Sequence, residues 1–140
     1  MKSESGFSII ELILVIAIIA LVGAATIPVA SGFLVRNSFR NKTNELVSSL
    51  RTAQINSING KEDRQWGVEI STSNIKMYAV GVTDFDQIFS IPASISITQD
   101  TIVFEKLIGN PDTVAAIIVS SGAGDSSTVT VNQVGTVNVE

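Results

Sequence analysis

The chain has 140 residues and a formal net charge of −4, which allows one small domain beyond an anchor. It contains neither cysteine nor histidine, which excludes disulfides, thiolate chemistry, catalysis by Ser-His-Asp or Cys-His groups, and the usual zinc sites. Residues 61–140 carry ten acidic and four basic side chains, and this balance argues against binding to nucleic-acid phosphates.

An apolar run begins at Phe7 and continues to about residue 30, with Glu11 as its only charged residue. At about 1.5 Å per residue, some 20 helical residues span the roughly 30 Å hydrocarbon core of a bilayer. The run therefore predicts a membrane-spanning helix over residues 7–30. Because a carboxylate within such a helix is costly, Glu11 indicates a function.

The start of the chain resembles the amino terminus of type IV pilins and of the pseudopilins of type II secretion. The residues that carry this resemblance are Gly6-Phe7-Ser8-Ile9-Ile10-Glu11-Leu12 and the apolar run after them. The resemblance implies that a prepilin peptidase removes residues 1–6 by cutting between Gly6 and Phe7, and that Phe7 is then N-methylated. It also implies that Glu11 sets the assembly register.

Physical arguments accompany each of these positions. Gly6 has no side chain, so its backbone can lie close to the catalytic groups of a peptidase. Glu11 lies four residues after Phe7 on the same helical face, where it can neutralise the Phe7 amine of its own chain or of a neighbour. The simpler alternative is that Glu11 extends to the lipid headgroups. Pro28 predicts a helix kink at the membrane exit, and the resemblance adds a role in fitting subunits together.

Residues 31–60 keep a helical period but become amphipathic. Their apolar face is predicted to pack on a sheet and comprises Phe39, Leu46, Leu50, Ala53 and Ser57. Asn59-Gly60 is a stop signal, which ends the helix at about residue 59.

After Gly60 the period changes to two, which predicts about seven short strands. Residues 66–70 and 75–80 form a first hairpin, and residues 95–98 and 101–105 lie on either side of a turn at 99–100. Residues 114–119 form another strand, residues 120–127 a flexible loop, and residues 128–131 and 136–139 a last hairpin.

The predicted fold class is α+β and pilin-like: a long N-terminal helix, transmembrane in its first half, packs by its second half on an antiparallel β-sheet head. The expected divisions are a leader (1–6), a transmembrane and assembly helix (7–30), an amphipathic helix (31–60) and a β-rich head (61–140). The head is most similar to the H-type minor pseudopilins and related minor pilins, in the segments Leu50-Arg51-Thr52-Ala53-Gln54 and Trp66-Gly67-Val68 and in the terminal valine-rich hairpin.

The resemblance implies a structural subunit of a type IV pilus or type II secretion pseudopilus, not an enzyme, and no cofactor. The implied partners are other pilin subunits, the prepilin peptidase, an inner-membrane assembly platform and the lipid bilayer, and nucleic acid is not expected. The head would lie outside the cytoplasm, although the basic residues Arg36, Arg40 and Lys42 after the span favour the opposite orientation. Two alternatives stay open: an anchored binding domain that never polymerises, and a tip adhesin or DNA-uptake minor pilin.

Four weaker signals each have a simpler interpretation. Ser73 and Lys76 fit a Ser-x-x-Lys pattern, but the other motifs of serine acyl-enzymes are missing. Asp84 and Asp86 suggest calcium, yet two aspartates usually form only a solvated turn. Asn41 begins a glycosylation sequon within a predicted helix, and Trp66 is expected to anchor the core rather than to bind a ligand.

Overall fold

The computed structural model describes residues 8–140, except for the side chains of residues 24–31. Helix α1 spans Ile9–Ile58 and ends where predicted, because Gly60 adopts the left-handed conformation with φ 60°. A short 3-10 helix, Lys61–Asp63, leads into the strands. These are β1 (Trp66–Ile70), β2 (Asn74–Ala79), β3 (Gln87–Ser90), β4 (Ile95–Ile97), β5 (Asp100–Phe104), β6 (Ala115–Ser121), β7 (Ser126–Val131) and β8 (Val137–Val139).

The eight strands form two four-stranded antiparallel sheets, in the orders β3-β2-β1-β5 and β4-β6-β7-β8. Two predicted hairpins are confirmed, namely β1 with β2 and β7 with β8. The α+β class with a helix packed on antiparallel sheet is therefore confirmed, but the strands are divided between two sheets.

The strands on either side of the turn at residues 99–100 do not pair with each other. β4 pairs with β6, and β5 pairs with β1, so the chain passes from one sheet to the other at this turn. Ile95 and Ile97 on β4, like Ile102 and Phe104 on β5, are buried. A period of two shows which face of a strand is buried but does not identify its neighbour.

The predicted loop over residues 120–127 is too long, because β6 continues to Ser121 and β7 starts at Ser126. The remaining four residues form a turn around one hydroxyl. Ser121 Oγ accepts hydrogen bonds from the N–H groups of Ala123 and Asp125, both at 3.2 Å, and donates to Asp125 Oδ2 at 3.1 Å. A serine that bonds the nearby backbone fixes a segment whose composition suggests flexibility.

The chain divides into two compact units, Met1–Leu34 and Val35–Glu140. In the second unit, the buried side of α1 joins strands of both sheets in one apolar core. The predicted helix face is confirmed, since Leu46, Leu50, Ala53 and Ser57 are fully buried and Phe39 packs partly buried against them. Burial of these side chains, rather than intrinsic helix propensity, stabilises this half of α1.

Ser57 joins the end of α1 to two strands of the first sheet. Its Oγ accepts a hydrogen bond from the Trp66 N–H at 2.8 Å and donates one to the Phe104 carbonyl oxygen at 3.1 Å. Its own carbonyl oxygen accepts from the Leu107 N–H at 2.8 Å. One buried serine thus fixes the end of α1 relative to the start of β1 and the end of β5.

Candidate assembly site

The first turn of α1 is formed on the backbone of Ser8. The Ser8 carbonyl oxygen accepts hydrogen bonds from the N–H groups of Glu11 at 3.0 Å and Leu12 at 3.2 Å. Isoleucine and valine are frequent in the turns that follow, and these β-branched residues favour a helix only weakly in water. The helix in this region therefore depends on an apolar environment around it.

Residues 9–22, which we name the assembly segment, expose all their large apolar side chains in the single chain. The exposed fractions run from 43% at Val15 to 81% at Ile9. Glu11 is the only charged residue among them. A helix that is apolar on every side is stable only when lipid or other helices cover it.

One face of the assembly segment carries a shallow apolar depression of about 350 Å³. It is lined by Leu14, Ala17, Ile18 and Leu21, whose spacing of three and four residues places them on one helical stripe. The small Ala17 between larger neighbours leaves room for a side chain of another helix, as in knobs-into-holes packing.

Glu11 lies exposed in the first turn of α1. Its carboxylate has no hydrogen bond or ion pair with any residue that the structure describes. A carboxylate on an apolar helix requires a cationic partner when the helix is covered. Among the described residues, the structure gives this carboxylate no cationic partner.

Three of the sequence candidates fall outside this description. Gly6 and Phe7, the predicted cleavage and methylation positions, precede the described residues. Pro28 lies within α1, but its side chain belongs to the undescribed group at residues 24–31, so the predicted kink stays a prediction. Among the residues that the structure describes, none of the helices is both long enough and apolar enough to cross a membrane.

Comparison with known families bears directly on this segment. The model of the prokaryotic N-terminal methylation motif matches residues 1–27. The chain carries the amino-terminal motif of type IV pilins and pseudopilins. No curated protein and no solved structure matches the chain. The similarity to a known family is therefore limited to the amino-terminal fifth of the chain and does not extend to the head.

The match supports a pilin-type substrate of a prepilin peptidase. The motif is found in a family of structural subunits rather than enzymes. The motif implies two classes of partner, a prepilin peptidase and other pilin subunits. The similarity of the head to H-type minor pseudopilins receives no support from the motif, which ends at residue 27.

The lysine of the Ser-x-x-Lys pattern, Lys76, has a structural role. The Lys76 ammonium pairs with Asp86 Oδ2 at 2.9 Å and lies 5.4 Å from the centre of the Tyr78 ring. The hydrogen bond to Asp86 is the main cause that raises the pKa of Lys76 above its ordinary value. A lysine held protonated in this way is not a general base.

The aspartate pair does not gather the ligands that calcium requires. Asp86 faces the Lys76 ammonium, whereas Asp84 is exposed. Within residues 8–140 there is no group of three acidic, histidine or cysteine side chains that could hold a metal ion. A lysine ammonium beside the carboxylate also disfavours a second cation.

The two remaining sequence signals, the glycosylation sequon at Asn41 and the aromatic residue Trp66, are explained by the packing of the head. Thr43, the third residue of the sequon, is buried and its hydroxyl donates to the Phe39 carbonyl oxygen at 3.0 Å. Trp66 anchors the core as predicted: it is buried, and its Nε1–H donates to the Lys61 carbonyl oxygen at 3.1 Å. Its ring lies 6.1 Å from that of Phe85.

The sequence analysis did not predict that Ser57 connects the helix to two strands by hydrogen bonds, and it did not predict strand β3. Ser57 was placed on the buried helix face only by its spacing. A serine on an apolar face, where it must find hydrogen-bond partners, is the signal that indicates this role.

Proposed function

We propose that the chain is a structural subunit, of minor pilin or pseudopilin type, of a type IV pilus or a type II secretion pseudopilus. Its leader, residues 1–6, is removed between Gly6 and Phe7, and the new amino terminus at Phe7 is methylated. The subunit is held in the cytoplasmic membrane by residues 7–30, with the head outside the cytoplasm, until it enters the filament.

The observation that carries this proposal is the apolar, exposed assembly segment within the methylation motif. In the membrane, lipid covers this surface. In a filament, the same surface is covered by the helices of neighbouring subunits, so assembly exchanges one apolar environment for another of similar free energy. The depression at Ala17 gives neighbouring side chains a place to pack.

Glu11 supplies the specificity that apolar packing lacks. The amine of Phe7 in a neighbouring subunit is the positive group that its carboxylate requires. Only one axial offset between two helices brings the two charges together, and every other offset leaves both unpaired in an apolar environment. Glu11 therefore sets the register of the assembly helix, and Pro28 allows the helix to bend beyond it.

The test separates assembly from processing. We expect Glu11→Ala to lose incorporation into sheared filaments, by at least about tenfold, because an amine left unpaired in an apolar environment costs several kcal/mol. Processing of the leader should stay intact. Ser8→Ala, which keeps every charge, is the matched control and should assemble like the wild type.

Normal assembly of Glu11→Ala would remove Glu11 from the proposal. Absence of the wild-type chain from filaments, despite a processed amino terminus, would favour the anchored domain that never polymerises.

A further inference from the structure

Some backbone N–H and C=O groups of β3 make no hydrogen bond to β2. In an antiparallel ladder, hydrogen-bonded residue pairs alternate with pairs that are not hydrogen-bonded. The Ile91 N–H donates to the Ser73 carbonyl oxygen at 2.8 Å, which fixes the phase of this alternation. Two residues further along each strand, Ile75 faces Phe89, so Phe89 also directs its backbone groups toward β2.

Ile88 and Ser90, the residues between these positions, direct their N–H and C=O groups away from β2. These four groups have no hydrogen-bond partner among the residues that the structure describes. They form a row of two donors and two acceptors along an edge of the first sheet. Gln87–Ser90 contains no lysine and no proline, which are common devices that protect an edge strand from pairing.

The opposite edge of the same sheet is covered by the chain itself. Along β5 and the residue after it, every second N–H group has an acceptor: Thr101 donates to Asp100 Oδ1, Val103 to Asp112 Oδ1 and Glu105 to the Asn110 carbonyl oxygen. On the edge of the second sheet formed by β8, Arg51 donates to the Val137 carbonyl oxygen at 3.1 Å. Within the first sheet, the open row is therefore a feature of the β3 edge and not of the β5 edge.

A groove of about 270 Å³, which we name the edge groove, lies between β3 and helix α1. Its helix side is formed by Ser48, Ser49 and Thr52, and its strand side by Met77, Gln87 and Phe89. Glu45 also borders the groove, but its carboxylate is bound by the Lys42 ammonium. The groove thus has an apolar floor with small polar walls, and its one charge is already paired.

We propose that β3 and the edge groove together bind an extended, uncharged segment of a partner polypeptide by strand addition. Two donors and two acceptors spaced two residues apart match an extended backbone. Alternate side chains of the added strand then point into the edge groove over Phe89 and Met77, so apolar residues fit there. The side chains between them contact Ile88, which is 63% exposed on the other face of the sheet.

This inference does not rest on the proposed function. A tethered domain that never polymerises would present the same edge. The site is also separate from the assembly segment, since all its residues belong to the Val35–Glu140 unit.

The probe is a capped, fluorescently labelled hexapeptide of alternating valine and threonine, added to the full-length chain in detergent micelles. Anisotropy should show saturable binding. The matched peptide, in which the amide nitrogens that face β3 are methylated, should bind at least about tenfold more weakly, because it cannot donate to Ile88 and Ser90. Absence of saturable binding by the unmethylated peptide, or equal binding of the two peptides, would overturn the proposal.

Two variants locate the binding on the chain. Ser48→Arg fills the edge groove and should weaken binding at least about tenfold, whereas Asn44→Arg, an exposed position on the same helix outside the groove, should not. Ser90→Pro removes one outward N–H that β2 does not use and should weaken binding by about fivefold to tenfold. Unchanged emission from Trp66 verifies that each variant is folded. Equal affinities of Ser48→Arg and the wild type would overturn the proposal.

Hydrogen exchange distinguishes a partner from a second copy. In the free chain, the amides of Ile88 and Ser90 should exchange fast at every protein concentration and become slow when the hexapeptide binds. Slow exchange that increases with protein concentration, without peptide, would mean that the edge pairs with another copy, and that result would overturn the proposal.

Discussion

Replacement of Ser57 by alanine tests whether this residue joins the helix to the first sheet. The Ser57 side chain is fully buried, and so are its partners, the backbone groups of Trp66 and Phe104. Alanine removes the Oγ that accepts from the Trp66 N–H at 2.8 Å and donates to the Phe104 carbonyl oxygen at 3.1 Å.

The magnitude follows from the two groups left without a partner. Each unsatisfied buried backbone group costs about 1–3 kcal/mol, and the higher helix propensity of alanine returns about 0.5 kcal/mol. We expect a net loss of about 1.5–5.5 kcal/mol in the free energy of unfolding. With an m value of about 1.5 kcal/mol per molar urea, the unfolding midpoint should fall by roughly 1–3.7 M.

The assay uses the one tryptophan of the chain, because Trp66 lies in the core and its emission reports unfolding of the head. Ser48→Ala, on the exposed side of the same helix, is the matched control and should shift the midpoint by less than about 0.3 M. If Ser57→Ala and Ser48→Ala shift the midpoint equally, Ser57 is not the joint that the hydrogen bonds indicate.

Two further predictions concern the head. Gly135→Ala should lower the thermal midpoint by several degrees more than Gly124→Ala. Both glycines have positive φ, but only a new Cβ at position 135 would lie 2.1 Å from Gln54 Nε2 and 2.6 Å from the Gly109 carbonyl oxygen. Equal shifts of the two midpoints would refute the steric argument. The pKa of Lys76 is raised above its ordinary value of 10.5, chiefly by the hydrogen bond to Asp86, so the pair stabilises the fold below that pH and the contribution is lost as the pH rises through the raised pKa. The difference in urea midpoint between the wild type and Asp86→Asn should therefore narrow above about pH 10.5, and a constant difference would contradict this assignment.

Local signals in the sequence determine the parts of the fold that were predicted correctly. The long helix, its end at Asn59-Gly60, and the first and last hairpins each depend on a period or a stop signal within a few residues. These elements agree with the structure to within about two residues, because burial of one face requires that the pattern and the backbone geometry match.

Errors arise where the outcome depends on contacts distant in the sequence. The separation of β4 and β5 into two sheets cannot be derived from the turn between them, since both strands have the same alternating pattern. Strand β3 was missed because an edge strand buries little: along Gln87–Ser90 only Phe89 packs partly against the core. The turn after β6 was expected to be flexible because hydroxyl-to-backbone bonds, as at Ser121, leave no periodic signal.

The candidate assembly site was predictable for a different reason. Its residues lie within one short stretch of sequence, and its surface follows directly from composition, since an uninterrupted apolar helix exposes apolar side chains on every side. The structure adds the stripe around Ala17 and the absence, among the described residues, of a partner for the Glu11 carboxylate.

The mass and the amino-terminal sequence of the chain, isolated from membranes with and without an active prepilin peptidase, test the central claim most directly. We predict that the peptidase yields a chain that starts at Phe7 and carries one added methyl group, whereas its absence leaves residues 1–6 in place. A chain that keeps Met1 to Gly6 in the presence of active peptidase would contradict the account.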